Sequence, residues 1–574
     1  MWADDAPKET DDPVPDADPW IAERCAWSLV WVGVMAGGLS TWGEWSTSPV
    51  LTILAPVLVA AAGAGIIAAW VSESPRSRNL QLLALAAVIA SVVLSQYGSI
   101  HPRRFYATDS AAFDHVAAQT LLYGKDPYSV STSAAHWMLD IPDRYWTYTA
   151  TGGHVTDVSY PAGSFLLIAP ALLLGFHHHV VDWMDLLAWL VTGGLMFALV
   201  PAALRWLAAL LILTPLFVNT FSYGGTDALF LPFLMVALWR WDRYGRGRGA
   251  GVAAWIGPVA LGLACAIKQS PWFCVPFLVA GVALEARRAG RPPLPSALRY
   301  GVTVLGVFAA VNLPFIVWGP SAWLHGTLTP FAQPLVADGQ GLVSLATHGI
   351  VRGVDLTYLT VCGALVYLTV LGLFVTTYPR LKRVWLVVVP LAMFVSPRSL
   401  SSYLVDFIPV ALLAAVTVAG TKTPRHRDRT DAVATDRRPS LRVALCAVPA
   451  LGAVAAAVLA FMGPPLALTV LRVDTSAGGR TLTAITLSVH NLTDSPEVPH
   501  VTVTMGTHLN GYWLPRDGRM NPVPPHGEAT VTLYPPIVTA SAGPGVQWLV
   551  SAYTASPRAL TTSALLVGPG PTHG

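Results

Sequence analysis

Ionisable side chains occur at a few positions where this largely apolar chain would be expected to avoid them. The segment FYATDSAAFDHVAAQTLLYGKDPYS, residues 105–129, carries Asp109 and Asp114 directly after a long apolar run. Lys268 lies in ACAIKQSPWFC and Arg398 lies in FVSPRSLSSYLVD, each between two apolar runs. A carboxylate can accept a proton from a hydroxyl, and a lysine or arginine can hold a phosphate. If they meet in space, these residue types could activate a hydroxyl next to a bound phosphate.

The surroundings of these residues are those of a membrane protein. Hydrophobic residues make up 53% of the 574 positions and charged residues 12%, against roughly 25% in an ordinary soluble domain. Apolar runs long enough to cross a ~30 Å hydrocarbon core recur along the chain. We therefore predict a polytopic α-helical membrane protein with about 13 transmembrane helices. The predicted spans are 24–43, 49–71, 79–98, 159–176, 183–203, 226–241, 251–267, 271–284, 300–318, 355–377, 384–396, 403–420 and 441–463.

Basic loops give this set of spans an orientation. Cytoplasmic loops carry an excess of Lys and Arg, so four basic loops should be cytoplasmic: 242–249, 285–300, 378–383 and 421–442. The long polar loop 99–158 and everything after about residue 464 would then face the extracytoplasmic side. Arginine far outnumbers lysine, and Ala, Gly and Pro are abundant, which suggests a GC-rich bacterial genome. We therefore expect the membrane to be the inner membrane of a bacterium. The alternation of sides requires one net crossing in 183–219, so we expect 206–219 to be a re-entrant or interfacial piece.

Three domains are predicted from the change in composition along the chain. Residues 1–22 are acidic and Pro-rich, lack the features of a secretory leader, and are expected to form a disordered cytoplasmic tail. Residues 23–464 form the transmembrane domain. Residues 465–574 alternate apolar and polar positions in AITLSVHN, VTVTM and VQWLVSA, and contain Asn510-Gly511 as a hairpin signal. They are expected to form an extracytoplasmic immunoglobulin-like β-sandwich.

Further polar groups are expected on the same side as the acidic cluster. NTFSYGGTDALFLP places Asn219, Tyr223 and Asp227 before a span, and its two glycines would let backbone approach a ligand closely. The alternative is a plain helix-starting turn. Tyr160 could likewise be an interface aromatic. Lys268 and Arg398 could, each by itself, extend their charges to lipid headgroups.

The order of these segments resembles that of a known family. Over roughly residues 100–415 the chain carries TDSAAFDHVAAQTLLYGKDPYS, YPAGSFLLIAP, NTFSYGGTDALFL, AIKQSPWFCVPF and SPRSLSSYLVDFIPV. This order is similar to that of the polyprenol-phosphate-sugar-dependent glycosyltransferases of the GT-C superfamily. It resembles especially the bacterial branch with the phosphatidylinositol-mannoside α-mannosyltransferases and some arabinofuranosyltransferases.

The resemblance implies an inverting sugar transfer on the outer face of the membrane. Asp109 would be the general base, with Asp114 as its substitute, and Lys268 and Arg398 would bind the donor phosphate. The resemblance implies a polyprenyl-phosphate donor of mannose or arabinofuranose, a glycolipid or envelope polysaccharide acceptor, and no cofactor. No metal-binding residues are predicted, and the sequence leaves metal dependence open. Two departures leave the sugar open, namely Gly-Thr-Asp at 225–227 and Ser-Ser at 401–402. The expected substrate-binding residues are Tyr128, Tyr160, Asn219, Tyr223, Asp227, Gln269 and Tyr403.

Two other classes of function stay open at this stage. A lipid or glycan transporter or flippase of the cell envelope would also need intramembrane charges and broken helices, although the sequence has no clear internal repeat. A non-catalytic envelope scaffold could bind glycan through Tyr512, Trp513 or Trp548, unless those aromatics form a buried core. The triple histidine at 177–179 lacks companion metal ligands. We find no P-loop, nucleotide-sugar fingerprint or nucleic-acid signature in the sequence.

Overall fold

The computed structural model describes residues 18–44, 48–222, 225–247, 254–418, 439–476, 481–505, 509, 511–536, 547–563 and 566–567. Most of the expected acidic tail, and the Asn510 of the hairpin signal, lie outside these residues. The described helices are α1 (Ile21–Glu44), α2 (Pro49–Val71), α3 (Arg78–Ile100), α4 (Asp109–Leu122), α5 (Ser133–Met138), α6 (Gly163–Leu173), α7 (Val180–Leu199), α8 (Arg205–Leu213), α9 (Pro215–Ser222), α10 (Leu231–Leu238), α11 (Asp242–Gly245), α12 (Ile256–Ile267), α13 (Val275–Arg288), α14 (Pro293–Trp318), α15 (Pro320–Ala332), α16 (Ser344–Thr347), α17 (Leu356–Thr376), α18 (Tyr378–Leu381), α19 (Trp385–Val388), α20 (Pro390–Phe394), α21 (Ser401–Val405), α22 (Ile408–Thr417) and α23 (Pro439–Phe461).

The described strands are fewer and most of them follow the last helix. They are β1 (Asp338–Gly339), β2 (Gly353–Asp355), β3 (Arg398–Ser399), β4 (Leu466–Thr475), β5 (Leu482–Asn491), β6 (His500–Met505), β7 (Glu528–Leu533), β8 (Gln547–Ala555), β9 (Arg558–Thr562) and β10 (Leu566–Val567). The protein is therefore mostly helical with a β-rich C-terminal region.

Several helices are long and apolar enough to cross a membrane, which indicates a multi-pass membrane protein. Within the described residues, seven meet this condition: Ile21–Gly43, Pro49–Val71, Arg78–Ile100, Val180–Leu199, Pro293–Trp318, Leu356–Thr376 and Ala444–Phe461. A bent pair, Ala202–Leu213 with Pro215–Phe221, would make an eighth if it is one broken span, and its two halves meet at 58°. This bend falls in the piece 206–219, which the sequence predicted to be re-entrant or interfacial.

The expected number of about thirteen spans was too high. Several predicted spans contain helices that are too short, because a crossing needs about 20 helical residues at 1.5 Å each. The helix α12 has 12 residues and stops at Lys268, whose backbone is extended with φ −147° and ψ 159°. The predicted span 384–396 contains an apolar helical stretch of only 10 residues, Trp385–Phe394, which α19 and α20 form together. Hydropathy registers apolar composition, and it does not register a break in the helical backbone.

The described chain forms two compact units, and the first contains residues 1–102 and 196–218. In this unit α1 packs against α2 and α3, and α8 packs against α1 and α3. Arg24 of α1 donates hydrogen bonds to the carbonyls of Ala69, Trp70 and Ser72 at 2.8, 2.8 and 2.9 Å. The guanidinium therefore satisfies carbonyl groups at the end of α2 that have no partner within their own helix.

The second unit contains residues 103–195 and 219–574, and it includes the predicted site residues. In this unit α4 packs on α6, α12 packs between α10 and α14, and α17 packs on α23. The close approach of α4 to its neighbours follows from its small buried residues, since Ala111, Ala112, Ala117 and Ala118 are at most 1% exposed. This packing fixes the direction in which the first residues of α4 point.

The C-terminal β-rich region consists of two antiparallel sheets around a shared core. One sheet has the order β4–β5–β7, and in the other β8 pairs with both β6 and β9. Apolar residues of both sheets form the core, including Ile485, Leu487, Val501, Val503 and Trp548. The alternation seen in the sequence correctly predicted a β-rich region here, while an immunoglobulin-like fold stays a prediction. The strand β2, which precedes α17, also pairs with β9 and so joins this region to the helices.

Two of the three aromatics that could have bound glycan belong to this core. Trp513 and Trp548 are 2% and 1% exposed. Tyr512 is also buried, and its hydroxyl donates a hydrogen bond to the carbonyl of Thr149 at 2.5 Å. The buried-core alternative therefore describes these three side chains.

Candidate active site

Two cavities meet at the start of α4. They have volumes of about 520 and 540 Å³, and we name them the polar cavity and the apolar cavity after their linings. Seven residues line both: Asp109, Ser110, Thr147, Tyr160, Lys268, Arg398 and Tyr403. The structure thus brings the predicted base and both predicted phosphate ligands to one shared wall.

Asp109 is held in a fixed orientation at the first turn of α4. Thr108 caps the helix by accepting a hydrogen bond from the N–H of Ala111 at 3.2 Å. Thr147 donates its N–H to Oδ2 of Asp109 at 2.6 Å and its hydroxyl to Oδ1 at 3.2 Å. Burial raises the pKa of this carboxyl above its ordinary value, against the lowering effects of Thr147 and of the Arg398 charge. A carboxylate that is oriented and more basic than a solvated aspartate is suited to accept a proton.

Lys268 is enclosed and already paired. Its ammonium forms an ion pair with Asp227 and donates a hydrogen bond to the carbonyl of Gly225 at 2.9 Å. The same Nζ atom lies 5.0 Å from the ring centre of Tyr160 and 6.0 Å from that of Tyr403. Electron-rich ring faces attract a cation. The charge of Lys268 is therefore neutralised largely within the protein.

A strand pairing fixes the backbone of Arg398, whereas its side chain forms a weak ion pair. It belongs to β3, which pairs in parallel with β1. The contact is close because Gly339 of β1 has φ +113°, and a Cβ there would collide with the backbone of Ser399. The Ser396 hydroxyl donates to the Arg398 carbonyl at 2.6 Å. The guanidinium lies 3.9 Å from Asp338, whose side chain is 43% exposed, so this ion pair is weak.

Asp114 is not brought to either cavity, against its expected role as a substitute base. It lies five residues beyond Asp109, on another face of α4, and is fully buried. Its Oδ1 accepts a hydrogen bond from the Ser164 hydroxyl at 2.8 Å. Burial raises the pKa of Asp114 to about 7. Asp114 therefore joins α4 to α6 from inside the protein.

The other predicted substrate-binding residues divide into two groups. Tyr160, Asn219, Asp227 and Tyr403 line the polar cavity, and Gln269 lines the apolar cavity. The side-chain amide of Gln269 donates to the carbonyls of 159 and 327 at 2.9 and 2.8 Å, so it also fixes the local backbone.

Tyr128 is the predicted substrate residue that the structure moves away from the cavities. Its hydroxyl donates to the carbonyl of Tyr160 at 2.7 Å, and its ring packs between Phe165 and Phe315. It lines neither cavity and supports Tyr160 from behind. Tyr223 lies outside the described residues.

The apolar cavity follows one face of a candidate membrane span. Five residues of α17 line it at helical spacing, namely Thr360, Gly363, Ala364, Tyr367 and Leu368. Aromatic and aliphatic side chains from other helices complete this lining: Phe113, Phe273, Phe331 and Met393. Leu368 and Phe331 are 48% and 52% exposed, so the cavity has apolar residues that reach the outer surface of the helices.

The polar cavity is lined by loops and by the β-rich region. Arg144, Tyr145, Trp146 and Tyr148 come from the loop after α5. Strands β6 and β8 add Thr504, Ser551 and Tyr553. A cavity with hydroxyls, aromatic rings and cations offers the contacts by which proteins bind sugars and other polyhydroxylated molecules.

Sequence reasoning missed Thr147, Asp338, Tyr553 and Arg558. Thr147 holds both oxygens of Asp109, Asp338 pairs with Arg398, and Arg558 lines the apolar cavity. These residues lie in short loops and in a β-hairpin, where the sequence has no periodic pattern to distinguish them. Their contacts depend on the tertiary structure, and only a structure could have identified them.

The described residues contain no group of three or more His, Cys, Asp or Glu side chains that could hold a metal ion. In the triple histidine, His179 hydrogen-bonds through Nδ1 to Asp182 and through Nε2 to the carbonyl of Arg103, both at 2.8 Å. Its two ring nitrogens are therefore both engaged within the protein.

Neither a scan against protein-family models nor searches of curated proteins and of solved structures found a match to this chain.

Proposed function

We propose that this protein is a membrane glycosyltransferase that uses a polyprenyl-phosphate sugar. The observation that carries this proposal is the shared wall, on which an oriented carboxylate and two cations stand between an apolar and a polar cavity. The substrate needs these three features together, since it has a lipid chain, an anionic phosphate and a sugar. The sequence resemblance supports mannose or arabinofuranose as the sugar.

The two cavities suit the two substrates. The apolar cavity, which follows a face of the candidate span α17, would take the first prenyl units of the donor from the membrane. The polar cavity would take a glycolipid or envelope-polysaccharide acceptor, with the half-buried Trp146 as a stacking surface. The donor sugar would then lie at the shared wall, next to Asp109.

The chemistry at the shared wall is a single displacement. Asp109 accepts the proton of an acceptor hydroxyl, and that oxygen forms a bond to the anomeric carbon of the donor sugar. The bond between the anomeric carbon and the phosphate oxygen breaks, and its electron pair leaves with polyprenyl phosphate. Attack from the face opposite the leaving group inverts the anomeric configuration. Arg398 offsets the negative charge that develops on the phosphate, and Lys268, which is already paired with Asp227, adds less to this effect.

The cellular arrangement is part of the same proposal. We assign the site to the extracytoplasmic face of a bacterial inner membrane. The basic loops are expected in the cytoplasm, and the alternation of spans then assigns the loop 99–158 to the other side. The C-terminal region would lie on that outer face, where its two sheets, β4–β5–β7 and β6–β8–β9, support an immunoglobulin-like arrangement.

The test is transfer by the purified full-length protein in lipid nanodiscs. The protein is given polyprenyl-phosphate mannose or arabinofuranose with a glycolipid acceptor, and released polyprenyl phosphate is measured. Asp109→Asn should lower the rate by roughly 10²- to 10⁴-fold, the usual contribution of a general base, while its amide oxygen keeps the bond from Thr147. Asp140→Asn is the matched control, because Asp140 is exposed and lines neither cavity.

Two results would reject the proposal in different ways. A full rate in Asp109→Asn would remove Asp109 as the base. If the unchanged protein moves the donor lipid across the bilayer without breaking its sugar–phosphate bond, the protein is a flippase.

A further inference from the structure

A third cation reaches the apolar cavity from the β-rich region. Arg558 stands at the start of β9, where the turn between β8 and β9 pairs it with Ala555. The next residue, Ala559, pairs with Asp355 of β2, directly before α17. The Arg558 Nη2 atom donates a hydrogen bond to the carbonyl of Leu335 at 2.9 Å. The hairpin end is therefore fixed against the helical part, and the guanidinium lines the cavity that also contains Lys268 and Arg398.

Among the described residues, no carboxylate forms an ion pair with Arg558, and its guanidinium has one hydrogen bond, to the Leu335 carbonyl. Among the same residues, its buried Nε atom has no hydrogen-bond partner. Asp355 is the acidic side chain that interacts with it at longer range, and Oδ1 of Asp355 already accepts the N–H groups of Thr357 and Tyr358. Burial and the like charge of Arg398 lower the pKa of Arg558, which is the expected effect where no anion compensates a buried cation.

The charges around the apolar cavity favour a bound anion. Its ionisable lining, apart from tyrosines, consists of Lys268, Arg398, Arg558 and one carboxylate, Asp109. Lys268 is already paired with Asp227, and Arg398 has only a weak ion pair with the half-exposed Asp338, so Arg558 and Arg398 supply the positive charge that is least balanced. Two guanidiniums that face one apolar cavity repel each other until an anion lies between them. A phosphate provides oxygen acceptors that match the fork of an arginine.

We propose that Arg398 and Arg558 together bind the phosphate of the lipid-linked donor, which is a phosphodiester before transfer and leaves as polyprenyl monophosphate, so that the β-rich region completes the donor site. This inference rests on the proposed function, and it names the residue that the donor phosphate requires in addition to those predicted from the sequence. The head of the lipid lies between β3 and the β8–β9 hairpin, and its chain follows the face of α17. Without the β-rich region, the helical part would therefore lack one of the two guanidinium groups that bind the donor phosphate.

The experiment measures binding of polyprenyl monophosphate to the full-length protein in nanodiscs, with polyprenol and inorganic phosphate as separate arms. Arg558→Gln should weaken binding of polyprenyl monophosphate roughly 10- to 100-fold, the loss expected for a charge-assisted hydrogen-bond pair, and leave polyprenol binding unchanged. Arg558→Lys should bind with intermediate affinity because it keeps the charge and loses the fork. Arg519→Gln removes an exposed arginine of the same region that lines neither cavity, and it should bind as the unchanged protein does.

Steady-state kinetics provide a second measurement. Arg558→Gln should raise the KM for the donor and leave the KM for the acceptor unchanged. Unaltered affinity of Arg558→Gln for polyprenyl monophosphate would overturn this inference while the proposed function stands. An equal loss of polyprenol binding would show that Arg558 only supports the fold. Equal affinity of the unchanged protein for inorganic phosphate and for the lipid would overturn the lipid-linked assignment. If the unchanged protein does not distinguish polyprenyl monophosphate from polyprenol, both proposals fail.

Discussion

Replacing Lys268 by methionine tests the enclosed ion pair at the shared wall. Lys268 and Asp227 are 3% and 5% exposed, so the substitution leaves a buried carboxylate without its counter-charge. Breaking a buried pair in this way lowers the free energy of unfolding by about 3–5 kcal/mol. The Coulomb energy of two charges 4 Å apart at an effective dielectric constant of 20 is about 4 kcal/mol, which agrees with that range.

Asp227→Asn should destabilise the protein less than Lys268→Met. The lysine that remains still donates to the Gly225 carbonyl and still lies beside the rings of Tyr160 and Tyr403. In Asp227→Asn these contacts still contribute about 1–2 kcal/mol to the free energy of unfolding. The double variant Lys268→Met/Asp227→Asn removes both charges, so we expect it to be more stable than Lys268→Met alone.

The assay is a double-mutant cycle on the free energy of unfolding, measured by steric trapping in lipid bilayers. The two substitutions should couple by about 2–4 kcal/mol, because each removes the same interaction. If the effects of the single substitutions add to within about 0.5 kcal/mol, the two side chains act independently and the paired state of Lys268 is refuted.

Three further predictions concern the base, the β1–β3 contact and the first unit. Burial raises the pKa of Asp109, and the base must be ionised to accept a proton. The value of kcat/KM should therefore fall as the pH decreases through a pKa above the ordinary 3.8. A pH profile that stays flat down to pH 4 would contradict this. Gly339→Ala should cost about 1–3 kcal/mol of stability, because the added methyl group forces β1 away from Ser399. It should also lower donor affinity, because this shift moves Arg398. Unchanged thermal unfolding and an unchanged donor KM would count against this prediction. Arg24→Met should lower the free energy of unfolding by about 2–4 kcal/mol, because it removes three hydrogen bonds to carbonyls at the end of α2. The measurement is thermal unfolding, and a loss of stability under about 0.5 kcal/mol would refute the prediction.

The sequence predicted the long helices well and the short ones poorly. The expected spans 24–43, 49–71 and 355–377 agree with α1, α2 and α17 to within a few residues at each end. About 20 consecutive apolar residues leave a helix few alternatives in a membrane, because its backbone must satisfy its own hydrogen bonds. In the rest of the second unit, shorter helices end at residues such as Lys268, where side-chain contacts of the folded protein replace the helical ones.

The candidate site was predictable to the extent that its charges are rare in an apolar chain. Asp109, Lys268 and Arg398 attract attention because each interrupts or follows a long apolar run, and the structure gathers all three on one wall. Thr147 and Arg558 belong to ordinary polar segments, so composition does not distinguish them. Their importance comes from long-range contacts, such as that of Arg558 with Leu335 more than 200 residues earlier.

The two carboxylates of α4 should respond to amide substitution in opposite ways. Asp109 is hydrogen-bonded by Thr147 at the cavity wall, whereas Asp114 is enclosed and its Oδ2 atom has no hydrogen-bond partner in the part of the chain that the structure describes. The pKa of Asp114 in the folded protein is about 7 and its ordinary value is 3.8, so the native state binds the proton more tightly than the unfolded state. The carboxyl therefore has no cost below pH 4, destabilises the protein progressively as the pH rises from about 4 to 7, and above pH 7 costs up to about 4 kcal/mol at 1.36 kcal/mol for each pKa unit.

Asp114→Asn reproduces the neutral carboxyl and can keep the hydrogen bond from Ser164. Thermal unfolding at several pH values should then show it as stable as the unchanged protein at pH 4 and more stable at pH 8. Sugar transfer should continue in this variant, because Asp114 does not reach the cavities. Asp140→Asn, which changes an exposed carboxyl, should shift neither quantity. If Asp114→Asn abolished transfer as completely as Asp109→Asn, the proton acceptor would have to be sought inside α4, and the assignment of the shared wall as the reacting centre would fail.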